Sequence, residues 1–275
     1  MKTIINSFPP NELTLFVELY PAADWENDFR NYSVSPNPAG HDYKEIKKKL
    51  IVDQGGLCAY CEKPIHSDGE HRQRVEHIHP KSDKSNPAVN WGLVWTNVLA
   101  VCTGGETENK EVHPLPANLS CDAHKNHCMQ GKKSVMQLLD QIFNPLHLPV
   151  FPCLFDFEKH TGKLVPNENV CSEIDSLLEL AIGDTMNRLI KTIQLLNLNC
   201  DRLTTERRLV LFQYNQEVAK ACKLDDNNFK IKLSHKWFNK KWPSFLTTRR
   251  ILLGNAAENY LQSIEYAMQD EPLEK

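Results

Sequence analysis

The sequence predicts an α+β protein: a turn-rich, metal-stapled centre between a short N-terminal arm and a mainly helical C-terminal half. Three observations carry that reading. Cys58-Ala59-Tyr60-Cys61 has the spacing at which two thiolates from one tight turn fill adjacent corners of a metal tetrahedron. Residues 57–133 hold most of the side chains that bind metals or move protons, and few long apolar periods. Beyond residue 135 apolar residues recur at helical spacing. The resulting segments are an arm, 1–40, a central unit, 41–135, and a helical part, 136–275.

Composition narrows the class. A chain of 275 residues is long enough to bury a sizeable core. Its formal net charge of −3 provides no global basic field, so nucleic-acid binding would need a local basic groove or a partner that delivers the substrate. No run of apolar residues is long enough for a membrane span. The opening Met1-Lys2-Thr3-Ile4-Ile5-Asn6 does not read as a signal peptide. Nine cysteines with one close pair suggest metal ligands plus scattered buried thiols rather than a disulfide framework, as expected of a cytoplasmic protein.

In chain order, Pro9-Pro10 lead into a helix from Asn11 that Pro21 ends. Trp25 and Phe29, four apart, would share a helix face, and Ser33–Gly40 reads as a linker. A helix is expected over His41–Gln54, with Tyr43, Ile46 and Leu50 on one side and Gly55-Gly56 as its stop. Lys44, Lys47, Lys48 and Lys49 are read as its solvated face. The centre then reads as a short hairpin, a long irregular connection and a closing helix that starts near Ser120 or Asp122. Val135, Leu138, Leu139, Ile142 and Phe143 continue a helix to Pro145. A hairpin follows, Phe151–Phe157 with Lys163–Val165. Three helices are expected after it, one long amphipathic helix over Ser172–Leu198, then Leu203–Ala221 and Pro243–Met268.

The central residues carry the chemistry. A structural zinc on Cys58 and Cys61 needs two further ligands, and Cys102 and Cys121 are the best candidates, with His124, His127 and Cys128 as rivals for the fourth place. Redox pairs share the Cys-x-x-Cys spacing, but Pro64 and the His-rich continuation do not resemble a strand–helix thioredoxin motif. In the Glu76-His77 pair, His77 can act as a base near neutral pH and Glu76 offers a hard oxygen to Mg²⁺ or Mn²⁺. On a strand the two would point to opposite faces, so a twist or bulge is expected if both serve one site. His66, His71 and His113 are read as exposed, and His79 as either a phosphate contact or loop structure. Cys153, Cys171, Cys200 and Cys222 are read as small buried apolar residues. His235–Trp242 mixes cations with aromatics and suits a partner dock or a single-strand binder, the dock being favoured.

Glu76-His77-Ile78-His79-Pro80-Lys81-Ser82, then Trp95-Thr96-Asn97, then Cys121-Asp122-Ala123-His124-Lys125, resembles the HNH endonuclease motif in order and spacing. The resemblance implies a ββα-metal unit, here stapled by zinc, in which His77 is the general base and Glu76 a ligand of the catalytic cation. It makes Asn97 the brace of the loop that presents the base. Asp122 stands where the family commonly has Asn or His, leaving Asp122 and His124 as alternatives for the second metal ligand. Lys125 matches the basic residue that meets a phosphate. Gly55–Glu62, the Val75-Glu76-His77 core and Ile193–Asn199 look like the PtuB branch. That branch implies an anti-phage effector working with a PtuA-like ABC-type ATPase, as in Septu, or in retrons with a reverse transcriptase and its nucleic acid. The expected activity is phosphodiester hydrolysis, with DNA favoured. The alternatives are an RNase using the same residues, for example on tRNA, and an inactive zinc-stabilised adaptor.

Overall fold

The computed structural model describes residues 1–30, 43–65, 73–130, 139, 141–178 and 183–266. The arm holds helix α1 (Asn11–Leu19), which follows Pro10 and buries Leu13 and Phe16. A π-helical turn, Trp25–Arg30, then buries Trp25 and Phe29 with ring centroids 4.9 Å apart, as their spacing predicts. Helix α2 (Tyr43–Asp53) seats Ile46 and Leu50, and Gly55 and Gly56 follow with positive φ. Lys47 corrects the solvated-face reading of this helix, because it is buried. The Ser33–Gly40 linker, His66 and His71 lie outside the described residues.

Strands β1 (Gln73–His77) and β2 (Val98–Cys102) pair antiparallel in an unbroken register from Gln73 opposite Cys102 to His77 opposite Val98. They do not form the expected short hairpin, since residues 78–97 intervene. That connection is held by side chains rather than by a tight turn, Asn97 foremost (below). Helix α3 (Cys121–Met129) closes the unit after Ser120, within the expected start, and packs on β2.

Beyond it, β3 (Phe155–Glu158) and β4 (Lys163–Pro166) make the expected hairpin. The long helix read over Ser172–Leu198 is instead two packed helices, α4 (Glu168–Leu177) and α5 (Asp184–Leu195). The break is chemical: Gly183 takes φ 85°, and the Asp175 carboxylate accepts the amides of Gly183 (2.8 Å) and Thr185 (3.0 Å), capping α5 from across the turn. Helix α6 (Asp201–Leu224) matches and extends the second expected helix, and α7 (Phe229–Phe238) follows it. The third expected helix is divided at Gly254 into α8 (Leu246–Leu253) and α9 (Asn255–Ser263).

The aromatic segment near α7 is also corrected. Phe238 and Trp242 are buried, and Arg249 covers the Trp237 ring at 4.5 Å, so these rings build core rather than a dock or a stacking platform. Cys171 and Cys200 are buried as expected, Cys153 is half-buried and Cys222 is exposed. His113 is partly covered and meets Asp201 at 3.1 Å. The buried apolar residues form one continuous cluster running from Met1, Phe16 and Trp25 through β2 to Leu246, Leu261 and Tyr266. Among the described residues no helix is long and apolar enough to cross a membrane.

Candidate active site and thiolate cluster

The knuckle is shaped by its backbone. The Cys58 amide donates to Lys63 O (2.8 Å), the Glu62 amide donates to Cys58 O (3.1 Å), and Glu62 takes φ 63°, so both thiols project from one tight turn. Gln54 fixes that turn to the sheet. Its amide group donates to Leu57 O and Ala100 O and accepts the Ala100 amide, at 2.9, 2.7 and 2.8 Å.

Cys102, ending β2, and Cys121, opening α3, complete the set, and the four sulfurs lie within 4.8 Å of one another. Sγ–Sγ separations are 3.8 Å for Cys58–Cys121, 3.7 Å for Cys61–Cys102 and 3.8 Å for Cys102–Cys121. A tetrahedron with metal–sulfur bonds of about 2.3 Å has edges of about 3.8 Å, whereas a disulfide needs about 2.05 Å. The donor set therefore fits one tetrahedral zinc. His124 and Cys128 do not belong to this set: His124 Nδ1 lies 2.8 Å from Leu195 O, and Cys128 sits 3.6 Å from His124. Burial pushes the Cys121 thiol up, while hydrogen bonding from Cys102 and the other thiols holds Cys61 down. One proton-poor sulfur among crowded neighbours is what a bound dication would extend to all four.

Next to this cluster a cleft of about 420 Å³ is lined by Glu76, His77, Lys81, Asp122, Lys125 and Asn126, among others. Glu76 and His77 both reach it with no bulge in the ladder, because the cleft wraps the end of β1, where His77 is the last residue. His77 Nε2 lies 3.0 Å from the carbonyl of Gly92. A carbonyl only accepts, so Nε2 carries the proton and Nδ1 keeps its lone pair. Burial lowers the His77 pKa to about 4, so the ring is neutral at neutral pH.

The carboxylates of this cleft are buried. Desolvation raises the Asp122 pKa, and Asn126 donates to Asp122 Oδ1 at 2.8 Å. Glu76 Oε1 meets the ammonium of Lys125 and no other donor. Lys125 is itself buried, 4.0 Å from Asp122 Oδ1 and 3.4 Å from His77 O. Burial lowers its pKa to about 7, a loss of charge that the Glu76 carboxylate against it opposes. Glu76, Asp122 and the His77 carbonyl thus surround the Lys125 ammonium. His124 is turned toward α5 instead.

Asn97 does not line the cleft. Its Nδ2 donates to His79 O (3.0 Å) and Trp91 O (2.7 Å), and its Oδ1 accepts the His79 amide (2.7 Å). It ties both ends of the loop that carries Gly92. His79 packs on Trp91 with centroids 4.0 Å apart and pairs with Asp83 at 2.7 Å, which makes it part of that loop's structure.

Over 255 residues the chain is 38% identical to a protein described as a candidate HNH endonuclease of retron Ec83 from Escherichia coli, covering 92% of this chain and 94% of that protein. The chain belongs to the HNH endonucleases associated with retrons. A candidate HNH endonuclease of retron Vc95 from Vibrio cholerae serotype O1 biovar El Tor is 30% identical over 128 residues, 42% of this chain and 56% of that protein. No family model matches the chain.

In this retron-associated endonuclease, three contributors to the site escaped the sequence reading. Trp25, from the arm, stands against the His77 ring, and Glu26 lines the cleft and pairs with Lys81 and Arg30. Gly92 supplies the carbonyl that meets His77 Nε2. None has a motif. The one available signal was the Trp25–Phe29 spacing, which announces a buried face without saying what it faces.

Proposed function

We propose that the cleft is the phosphodiester-cleaving centre of a metal-dependent nuclease built on β1, β2 and α3 as a ββα-metal unit. The observation that carries the reading is the convergence of Glu76, His77, Asp122 and Lys125 on one cleft, with His77 tied through Nε2. His77 Nδ1, facing away from that tie, takes the proton of the attacking water. Glu76 and Asp122 would hold Mg²⁺ or Mn²⁺, which would supply stabilisation of charge on the scissile phosphate and departing oxygen. Lys125 adds a cation for the phosphate, and Asn97 braces the loop that aims His77. Cys58, Cys61, Cys102 and Cys121 hold a structural zinc that joins the knuckle, β2 and α3.

The substrate favoured is DNA. A net charge of −3 supports a nuclease that borrows substrate affinity from an assembly. We place it in the cytoplasm as an anti-phage effector of the PtuB kind, with a PtuA-like ABC-type ATPase and, in a retron, a reverse transcriptase and its nucleic acid. The retron association of the relatives supports that setting.

The test is divalent-metal-dependent cleavage of plasmid DNA and total tRNA by wild type and His77→Ala at matched zinc content. Loss of cleavage in a folded, zinc-loaded His77→Ala is expected, and the polymer cut identifies the substrate. Unchanged cleavage would remove His77 as the base.

A further inference from the structure

Arg202 and Arg207, five residues apart on α6, are the largest fully buried side chains among the described residues, each with 1% of its surface exposed. Buried guanidiniums require anions, because an uncompensated charge in the interior is among the most costly arrangements in a fold. Arg207 has no carboxylate within ion-pair distance among the described residues. It makes one long hydrogen bond, to Asn199 Oδ1 at 3.4 Å, and its guanidinium lies 5.7 Å from the Phe245 ring centre. Glu62 is the nearest acid to influence it, but that carboxylate is already engaged by the amide and hydroxyl of Thr247 at 3.0 and 2.5 Å.

Arg202 has one carboxylate, Glu108 at 3.0 Å, and shares it with Lys63 at 2.8 Å. Its other arm leads to the thiolate cluster: Nη2 donates to Ser120 Oγ (2.7 Å), and Ser120 Oγ donates to Cys121 Sγ (3.6 Å). Its Nε is buried without a partner. Gly105, in the turn after Cys102, leaves the room the guanidinium occupies, since a Cβ there would stand 3.1 Å from Nε.

Four thiolates around one Zn²⁺ leave a net charge of about −2 in a buried place. We propose that Arg202 is a counter-ion of this tetrathiolate centre, reaching it through the Ser120 hydroxyl, so that α6 and the zinc hold each other in place and the helical half keeps the metal in the nuclease unit. The inference rests on the zinc reading above. It assigns a positioning residue to the metal, and Arg207, whose hydrogen bond leads to Asn199 instead, is its comparison on the same helix.

The experiment measures zinc in the full-length protein and its rate of transfer to a chromogenic chelator, for wild type, Arg202→Met, Arg202→Lys and, as an equally buried arginine of the same helix, Arg207→Met, with circular dichroism as the check on folding. Wild type without zinc would sink the zinc reading itself. With about one zinc bound, Arg202→Met is expected to release it at least about tenfold faster and Arg202→Lys within about threefold of wild type, because charge is what is lost or kept. A folded Arg202→Met that releases zinc at the wild-type rate, or no faster than a folded Arg207→Met, would overturn the proposal. Arg202→Lys as fast as Arg202→Met would also overturn it, by making shape rather than charge the cause. If Arg202→Met does not fold, Ser120→Ala, which removes the hydroxyl between Arg202 and Cys121, takes its place. Faster release from it supports the proposal, and wild-type release refutes it.

Discussion

The indole of Trp25 stands edge-on to the imidazole of His77, with ring centroids 4.7 Å apart and planes at 84°. Trp25 is buried, and its Cβ lies so near Gly92 that a Cβ added there would come within 3.3 Å. One residue of the arm thus packs both the His77 ring and the backbone whose carbonyl meets it. On the proposed reading, the arm would help aim the base.

Replacing Trp25 should therefore affect turnover before it affects the metal staple. Trp25→Leu is expected to slow metal-dependent cleavage on the order of tenfold or more, the size of effect that a small misplacement of a reacting group produces. Trp25→Phe, which keeps an aromatic edge, should stay closer to wild type. Zinc content should be unchanged in both. Wild-type cleavage by Trp25→Leu would show that the ring contact has no share in aiming His77.

Asn97→Ala tests the next layer. The variant leaves the His79 amide and the carbonyls of His79 and Trp91 without their partner inside a largely closed loop. Each unsatisfied buried group costs about 1–3 kcal/mol, so thermal unfolding should shift down clearly. Trp91 precedes Gly92, whose carbonyl holds His77 Nε2, so cleavage should fall by more than the stability loss explains. Asn97→Asp keeps Oδ1 but loses both donated bonds, and should land between the two.

Much of the central unit was legible because metal-ligand spacing is local. Cys58 and Cys61 announced the cluster, and Cys102 and Cys121 were the best candidates for its other half, with the fourth place left open to His124, His127 and Cys128. The helix expected over Leu203–Ala221 was likewise found, lengthened at both ends, as α6. What stayed hidden depends on distant side chains. The Asp175 cap that splits α4 from α5 gives no periodic signal, since apolar residues continue at helical spacing on both sides of the break. Arg202 and Arg207 look solvated in sequence, because nothing in a run such as Glu206-Arg207-Arg208 says which guanidinium is buried. The reading of His235–Trp242 as a partner dock, or else a single-strand binder, met the opposite difficulty: the composition is that of a surface binder, but Phe238 and Trp242 are buried and Arg249 covers the half-buried Trp237 ring.

His77 makes stability depend on pH. Its pKa falls from the ordinary 6.5 to about 4 because burial disfavours the imidazolium. The unfolded chain therefore binds a proton that the folded chain refuses between those two values. The stabilisation is whole above pH 6.5 and is lost as pH drops toward 4, with a full effect on the order of 3 kcal/mol. Melting temperatures of wild type across that window should decline more steeply than those of His77→Asn. In kinetics, the acid limb of kcat/KM should fall near 4 rather than near 6.5. Parallel melting curves for the two proteins would contradict the neutral, buried imidazole.

Gly104 offers the sharpest test of how the staple is closed. It takes φ 64°, its amide donates to Cys102 Sγ at 3.4 Å, and its carbonyl accepts the Ser120 amide at 2.9 Å. A Cβ at this position would stand 2.3 Å from Ser120 O and 2.7 Å from the Ala123 Cβ, so Gly104→Ala cannot be accommodated without moving the start of α3 and Cys121 with it. Backbone strain alone would cost about 1 kcal/mol, and the steric conflict should bring the loss to about 3 kcal/mol or more. Gly183→Ala is the matched control. It also has positive φ, 85°, but its Cβ would meet nothing nearer than Asn187 Nδ2 at 3.8 Å, so it should show the backbone cost alone and keep its zinc. Metal analysis and thermal unfolding of the two variants separate these contributions. Full zinc in Gly104→Ala, with stability matching Gly183→Ala, would mean that the approach of the Cys102 turn to α3 is not what sets the fourth sulfur in place.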